Sequence, residues 1–140
     1  MGPHMSIRHA GLLHAANDIE RVSDHARNIG RMAETVMEGD QEFIEEDLTA
    51  IREMYTIVLE IYETAIRAVR ENTRQLAPKV KELAARIDAK GDKIRAANIN
   101  RMAEGVCSAE GGIMVADIIA NLERVGDHST NISHLPRGKL

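Results

Sequence analysis

Ile44, Leu48, Ile51, Tyr55, Val58, Tyr62, Ala65 and Val69 follow one another at alternating intervals of four and three, without a break. Only an α-helix gathers such positions onto one side, because its 3.6-residue turn lies between those two intervals; a strand would need every second residue. The pattern predicts a helix from about Gln41 to Asn72, roughly 45–50 Å long at 1.5 Å per residue. Acids fill its first turns (Glu42, Glu45, Glu46, Asp47) and arginines its end (Arg67, Arg70, Arg74), the polarity that the helix macrodipole favours. A helix of this kind carries the seam of a bundle and needs companions along its length.

The sequence supplies three. Leu12, Ala15, Ile19, Val22, Ala26, Ile29, Ala33 and Met37 mark an earlier helix from about Ser6 to Glu38, with Gly39-Asp40 ending it and capping the next. A third helix begins near Pro78, a good first-turn residue, and runs through Val80, Leu83, Ile87, Ile94, Ala97 and Met102 to Gly105. Ser108 caps a fourth, which reaches about His134 before Pro136. Aromatic residues make up 2% of the chain and prolines number three, which favours helices over sheet. The expected fold is all-α, an antiparallel bundle of four long helices joined by short loops.

A second pattern lies across the first. Asp18-Ile19-Glu20-Arg21-Val22-Ser23-Asp24-His25-Ala26-Arg27-Asn28-Ile29 returns as Asn121-Leu122-Glu123-Arg124-Val125-Gly126-Asp127-His128-Ser129-Thr130-Asn131-Ile132. From Ile19 and Leu122 onward seven of eleven positions are identical, so the stretch is an internal repeat. In each copy Glu, Asp and Asn stand at i, i+4 and i+8, one row along one face of a helix. Two carboxylates at i and i+4 repel, by a few tenths of a kcal/mol in an isolated helix. Making that choice twice, in the same context, points to a cation.

At about 100° per residue, Glu123 and Asp127 lie roughly 120–150° from the apolar face of their helix (Met114, Ile118, Leu122, Val125, Ile132), and Glu20 and Asp24 stand in nearly the same relation to theirs. The third helix carries one more acidic pair, Asp88 and Asp92, also off its apolar stripe. Three helices therefore present acid-x-x-x-acid pairs outward or along a seam. A buried di-iron site of the ferritin kind would need acids projecting inward beside a Glu-x-x-His, and that motif is absent. The candidate metal ligands are Glu123, Asp127, Asp88, Asp92, Glu20 and Asp24, with Asn131 and Asn28 completing the rows. Carboxylates and an amide suit hard or intermediate cations such as iron, manganese, magnesium or calcium; with one cysteine, a thiolate zinc site is excluded. Such a cluster can also hold an anion such as phosphate on its open positions.

The plainer alternative for each pair is a solvated face whose acids meet nearby arginines, Arg21 and Arg124 included. His25 and His128 fall about 100–140° from the carboxylate rows, which makes them polar flank residues before ligands. Cys107 has no base motif beside it, and no nucleophile–base pair or phosphate-cradling glycine loop is present, so no catalysis is expected.

The remaining bounds are brief. The net charge of −4, with both signs interleaved and no basic stripe, argues against nucleic acid. A lone cysteine fits a reducing compartment. The most apolar run, Ile113 to Leu122, is interrupted by Asp117 and ends beside Asn121, so no segment is expected to enter a membrane. Residues 1–5, with Gly2-Pro3-His4-Met5, read as an expression-tag remnant, 6–136 as one helical domain and 137–140 as a tail.

The stretch Asn121 to Ile132, preceded by Arg101-Met-Ala-Glu-Gly-Val-Cys-Ser108, closely resembles the end of a PhoU-family repeat. Members of that family control phosphate uptake in bacteria and archaea, and their three-helix bundles bind multinuclear iron or other metal clusters at the surface through Glu/Asp-x-x-x-Asp motifs. The resemblance covers nearly all of residues 6–135 and implies the last helix of one repeat (Glu20, Asp24) followed by a complete three-helix repeat (Asp88, Asp92, Glu123, Asp127). It is most like the cytoplasmic C-terminal domain of bacterial sodium/phosphate cotransporters. What it implies is a regulatory domain at the cytoplasmic face of the inner membrane, binding divalent or trivalent metal ions, iron first among them. Its expected partner is the membrane-embedded phosphate transporter, in the same polypeptide or beside it, or a signalling protein, with a homodimer also open. The alternative is a helical interaction or dimerisation module whose acids bind no metal.

Overall fold

A computed structural model describes residues 2–37 and 44–136. These form four α-helices: α1 (Pro3–Met37), α2 (Glu45–Arg70), α3 (Ala77–Ala103) and α4 (Ala109–Ser133). No strand occurs among the described residues. The all-α expectation holds. The expected junction at Gly39-Asp40, the start of the second helix at Gln41, the side chains of Ala33 and Met37, and the tail 137–140 lie outside the described residues. The first helix starts at Pro3, so residues set apart as a tag remnant continue its first turn.

Local chemistry explains the ends. The α2 N-terminus has no side-chain cap, but Glu45, Glu46 and Asp47 fill its first turn and Arg67 and Arg70 its last, complementing the dipole at both ends. It stops at a Schellman motif: Asn72 takes φ 48°, its N–H bonds the Val69 carbonyl, and Thr73 N–H reaches back to Ala68. The α3 helix ends the same way with Gly105 at φ 73°, while Val106 N–H reaches the Arg101 carbonyl at 2.9 Å. Ser108 caps α4, its hydroxyl accepting from Gly111 N–H at 3.0 Å.

The helices run up and down in turn. Ion pairs set α2 and α3 antiparallel, Asp47 meeting Arg101, Glu53 meeting Lys90, and Glu60 meeting Lys79. The α2, α3 and α4 helices pack on one another around Met54, Ile61, Leu83, Ile87, Ile119 and Leu122. The α1 helix packs on α4 alone, and its backbone approaches neither α2 nor α3. The bundle is thus a three-helix unit with α1 laid against α4. Its apolar side adds Val22 to the common core, with Ile29 and Met32 against it.

Two details of the predicted seams change. On α2 the buried apolar positions are Met54, Val58, Ile61, Ala65 and Ala68, while Tyr55 and Val69 are exposed. Ile51, Met54, Val58, Ile61, Ala65 and Ala68 make a second unbroken three-four alternation, rotated one residue from the first. Periodicity could not choose between the two; the positions of α3 and α4 do. On α1, Leu12, Ile19 and Ala26 were expected at a seam and are exposed, because one neighbour covers only one side of a helix.

Candidate metal site at the α3–α4 seam

Midway along the α3–α4 contact each helix carries a glycine against the other. A Cβ on Gly126 would lie 3.2 Å from Ile87 Cδ1, and one on Gly91 would lie 2.9 Å from Glu123 Oε2. The missing side chains let Glu123 lie flat against the α3 backbone. With α3 and α4 antiparallel, the pair Asp88/Asp92 and the pair Glu123/Asp127 then border one seam.

Glu123 is half-buried, its side chain 20% exposed, and it is held by Arg95. The guanidinium takes both carboxylate oxygens: Nη2 bonds Oε1, and Nη1 donates to Oε2 at 3.0 Å. The hydrogen bond to Glu123 pushes the Arg95 pKa further up, so this cation does not titrate. On its solvent side Arg95 also lies 3.9 Å from Asp92 Oδ1, whose side chain is 81% exposed. Neither Asp88 nor Asp127 has an ion pair among the described residues. Partial burial pushes the Asp127 carboxyl up from its ordinary range, the charges of Asp88 and then Glu123 add to the rise, and His128 opposes it. Asp127 therefore lies in the negative field of acids from both helices.

Among the described residues no three His, Cys, Asp or Glu side chains converge closely enough to hold a metal ion. Glu123, the half-buried acid of the seam, is engaged by Arg95 instead. The donor set still suits a hard cation, being all carboxylate, and a guanidinium already takes the place of a positive ion on it.

The first copy of the repeat stands differently. Glu20 is exposed and, among the described residues, has no ion pair; Asp24 pairs there only with Arg27, 3.9 Å away on the same helix. Asn28 and Asn131 are exposed and make no hydrogen bond among the described residues. The α1 helix packs on α4 alone and does not approach the acidic pair of α3. Arg21 and Arg124, expected as partners of the acids, are exposed and make no ion pair among the described residues. The arginine that matters is Arg95, which spacing within one helix could not reveal.

The histidines were expected on the flanks of the carboxylate rows. They lie instead at the centre of the α1–α4 contact, with ring centroids 5.6 Å apart and planes at 19°. His25 Nδ1 bonds Asn121 Oδ1 at 3.0 Å, and His128 Nδ1 bonds Asp18 Oδ1 at 2.9 Å. Asp18 and Asn121 are equivalent positions of the repeat, as are His25 and His128. The same bond is thus made twice about a local two-fold axis, as in an isologous dimer interface. This accounts for the histidines structurally.

A groove of about 490 Å³ between α2 and α3 is lined by Glu45, Glu53, Lys90, Lys93 and Arg101 among others. Two ion pairs cross it: Lys90 bonds Glu53 and holds that carboxyl below its ordinary range, and Arg101 bonds the buried Asp47.

No curated protein and no solved structure matches this chain. The PhoU domain matches residues 51–135, more than half of the chain, taking in α3, α4 and most of α2, with all four acids of the seam. The chain belongs to the PhoU domain family.

Proposed function

We propose that this is a metal-binding regulatory domain of phosphate homeostasis, attached to or docking on a membrane phosphate transporter of the sodium/phosphate cotransporter kind. PhoU domains are regulatory and non-enzymatic, and phosphate homeostasis is the function that the family suggests. The observation that supports the metal reading is the antiparallel α3–α4 register, which sets Asp88, Glu123 and Asp127 along one seam with Asp127 under the charge of the other two. Asp88, Glu123 and Asp127 would hold the ion, with Asp92 at the rim. A bound cation, iron by family resemblance, would offset carboxylate repulsion and change the charge of the α3–α4 surface, which is how occupancy would reach a docking partner. Among the described residues no helix is long and apolar enough to cross a membrane, so the transporter contact is a surface contact of this domain.

Protein purified without chelator is expected to carry metal by elemental analysis. Added Fe²⁺ or Mn²⁺ should raise its Tm, since a ligand of the folded state stabilises it. Glu123→Gln with Asp127→Asn should abolish both effects while the helical circular dichroism signal persists. A wild-type protein that is metal-free and indifferent to both ions would refute the reading. The second reading, a helical interaction module, is favoured by Leu12, Leu13 and Ile19 exposed on α1. A concentration-dependent dimer disrupted by Leu12→Glu, in metal-free protein, would support it.

A further inference from the structure

We propose that the outer groove between α2 and α3 is the surface on which two copies of this chain pair, antiparallel about a two-fold axis, with the acidic end of each groove against the basic end of the other. This surface is distinct from the exposed leucines of α1, and pairing on it involves no metal.

The register of α2 against α3 builds the groove. Glu60 meets Lys79 at 3.4 Å, Glu53 meets Lys90 and Asp47 meets Arg101, three rungs of a ladder between antiparallel helices. Between the rungs the ladder is incomplete. Arg86 falls between Lys79 and Lys90, where α2 offers Thr56 and Ile57, and Lys93 falls between Lys90 and Arg101, where it offers Thr49 and Ala50. Arg86 and Lys93 are exposed and make no ion pair among the described residues; Lys93 adds its charge to that of Lys90 on Glu53. Past the Asp47 rung, Glu45 and Glu46 are exposed and unpaired among the described residues as well.

Two hollows, of about 490 and 610 Å³, share Glu53, Lys90 and Lys93, so the groove is continuous from Glu45 to Arg86. Its floor is apolar, with Ile94 buried and Ala50, Ile57 and Ala97 half-buried. The α1 helix packs on α4 alone and leaves this face open. The groove is thus self-paired at its middle, negative at one end and positive at the other, the ends roughly 17 Å apart along α2.

Those two ends choose the occupant. A small anion or an acidic segment would be held at Arg86 and repelled at Glu45 and Glu46. What fits carries both signs in the opposite order, and this chain presents that pattern itself. A surface with opposite charges at its ends becomes its own complement when turned through 180°, as an isologous interface requires. About an axis near the Glu53–Lys90 pair, Glu45 and Glu46 of one copy come to Arg86 of the other, twice over, and the apolar floor is covered between them. A parallel pairing would set acid against acid.

The test is analytical ultracentrifugation of wild type, an acidic variant (Arg86→Glu with Lys93→Glu), a basic variant (Glu45→Lys with Glu46→Lys) and their equimolar mixture. Wild type should show a monomer–dimer equilibrium that raised ionic strength weakens about tenfold. Each double variant alone should dimerise about 100-fold more weakly, because like charges then meet at both ends. The mixture should reassociate one to one, since opposite charges again face each other at both ends. Lys81→Glu, an exposed α3 position that does not line the groove, should change the dimer constant by about twofold at most. Should a reversal unfold the chain, Arg86→Gln with Lys93→Gln removes the charges without adding repulsion and should still weaken the dimer about tenfold. A wild type that is monomeric at every concentration overturns the proposal. So does a dimer lost in Leu12→Glu and kept in both double variants, or a mixture that stays monomeric.

Discussion

Replacing His25 with alanine tests how α1 is held. The substitution removes the bond from His25 Nδ1 to Asn121 Oδ1, at 3.0 Å, and the stack on His128. Asn121 is buried and its amide N–H₂ is already given to the Asp117 carbonyl at 2.8 Å, so its oxygen would be left without a donor. A neutral hydrogen bond contributes about 1 kcal/mol net, and a buried polar atom left unpaired costs about 1–3 kcal/mol. Losing the ring contact adds roughly 0.5 kcal/mol or more. These terms overlap, and water entering the gap recovers part of them, so we expect a loss of about 2 kcal/mol. Because α1 packs on α4 alone, the loss should appear as local release of α1 and not as global unfolding. Amide hydrogen exchange measured helix by helix separates the two. Protection in α1 should fall about 30-fold, at tenfold per 1.4 kcal/mol, while that of Leu83, Ile87 and Ile94 in α3 changes little. Equal losses in α1 and α3 would show one cooperative unit and refute this account of α1; unchanged α1 exchange would refute the role of the histidine pair.

Removing Arg101 leaves the Asp47 side chain, 5% exposed, without its cation. Arg101→Ala should cost about 2–3 kcal/mol in urea melts, the N-terminal dipole of α2 supplying partial compensation, and should cost more than Asp47→Ala, whose stranded arginine can turn to water. Asp127 supplies a pH test on metal-free protein. Its carboxyl is raised in the folded state by burial and then by Asp88 and Glu123, so its contribution is fully present below the unfolded pKa and is lost as pH rises through the folded one. Asp127→Asn should therefore have a higher Tm than wild type at pH 7, and the gap should close as pH falls into the carboxylate range. A gap that widens on acidification would show that Asp127 is stabilised as a carboxylate, contrary to the crowding described.

Much of the fold was legible because it is written in intervals. Helix number, approximate bounds and capping at Ser108 and Gly105 follow from spacing and turn chemistry that act within a few residues. The acid rows were legible in the same way, since i and i+4 share a face whatever lies opposite. Arg95 was not, because a partner 28 positions away in sequence leaves no periodic trace. The histidines were placed on a flank for the same reason: a helix taken singly does not say which neighbour its flank will meet.

The duplicated stretch separates the two kinds of information within one chain. Nearly the same dozen residues occur in α1 and α4, and both copies became helix, with the same row of acids and the same histidine directly after the second acid. Sequence determined that much, since dihedral preference and 3.6-residue periodicity are local. Yet Leu122 is 1% exposed and its counterpart Ile19 40%; Glu123 is locked by an arginine and Glu20 stands in water. Tertiary structure decided those differences. Burial and charge pairing depend on which surfaces arrive from elsewhere, and α4 is surrounded by three helices where α1 has one.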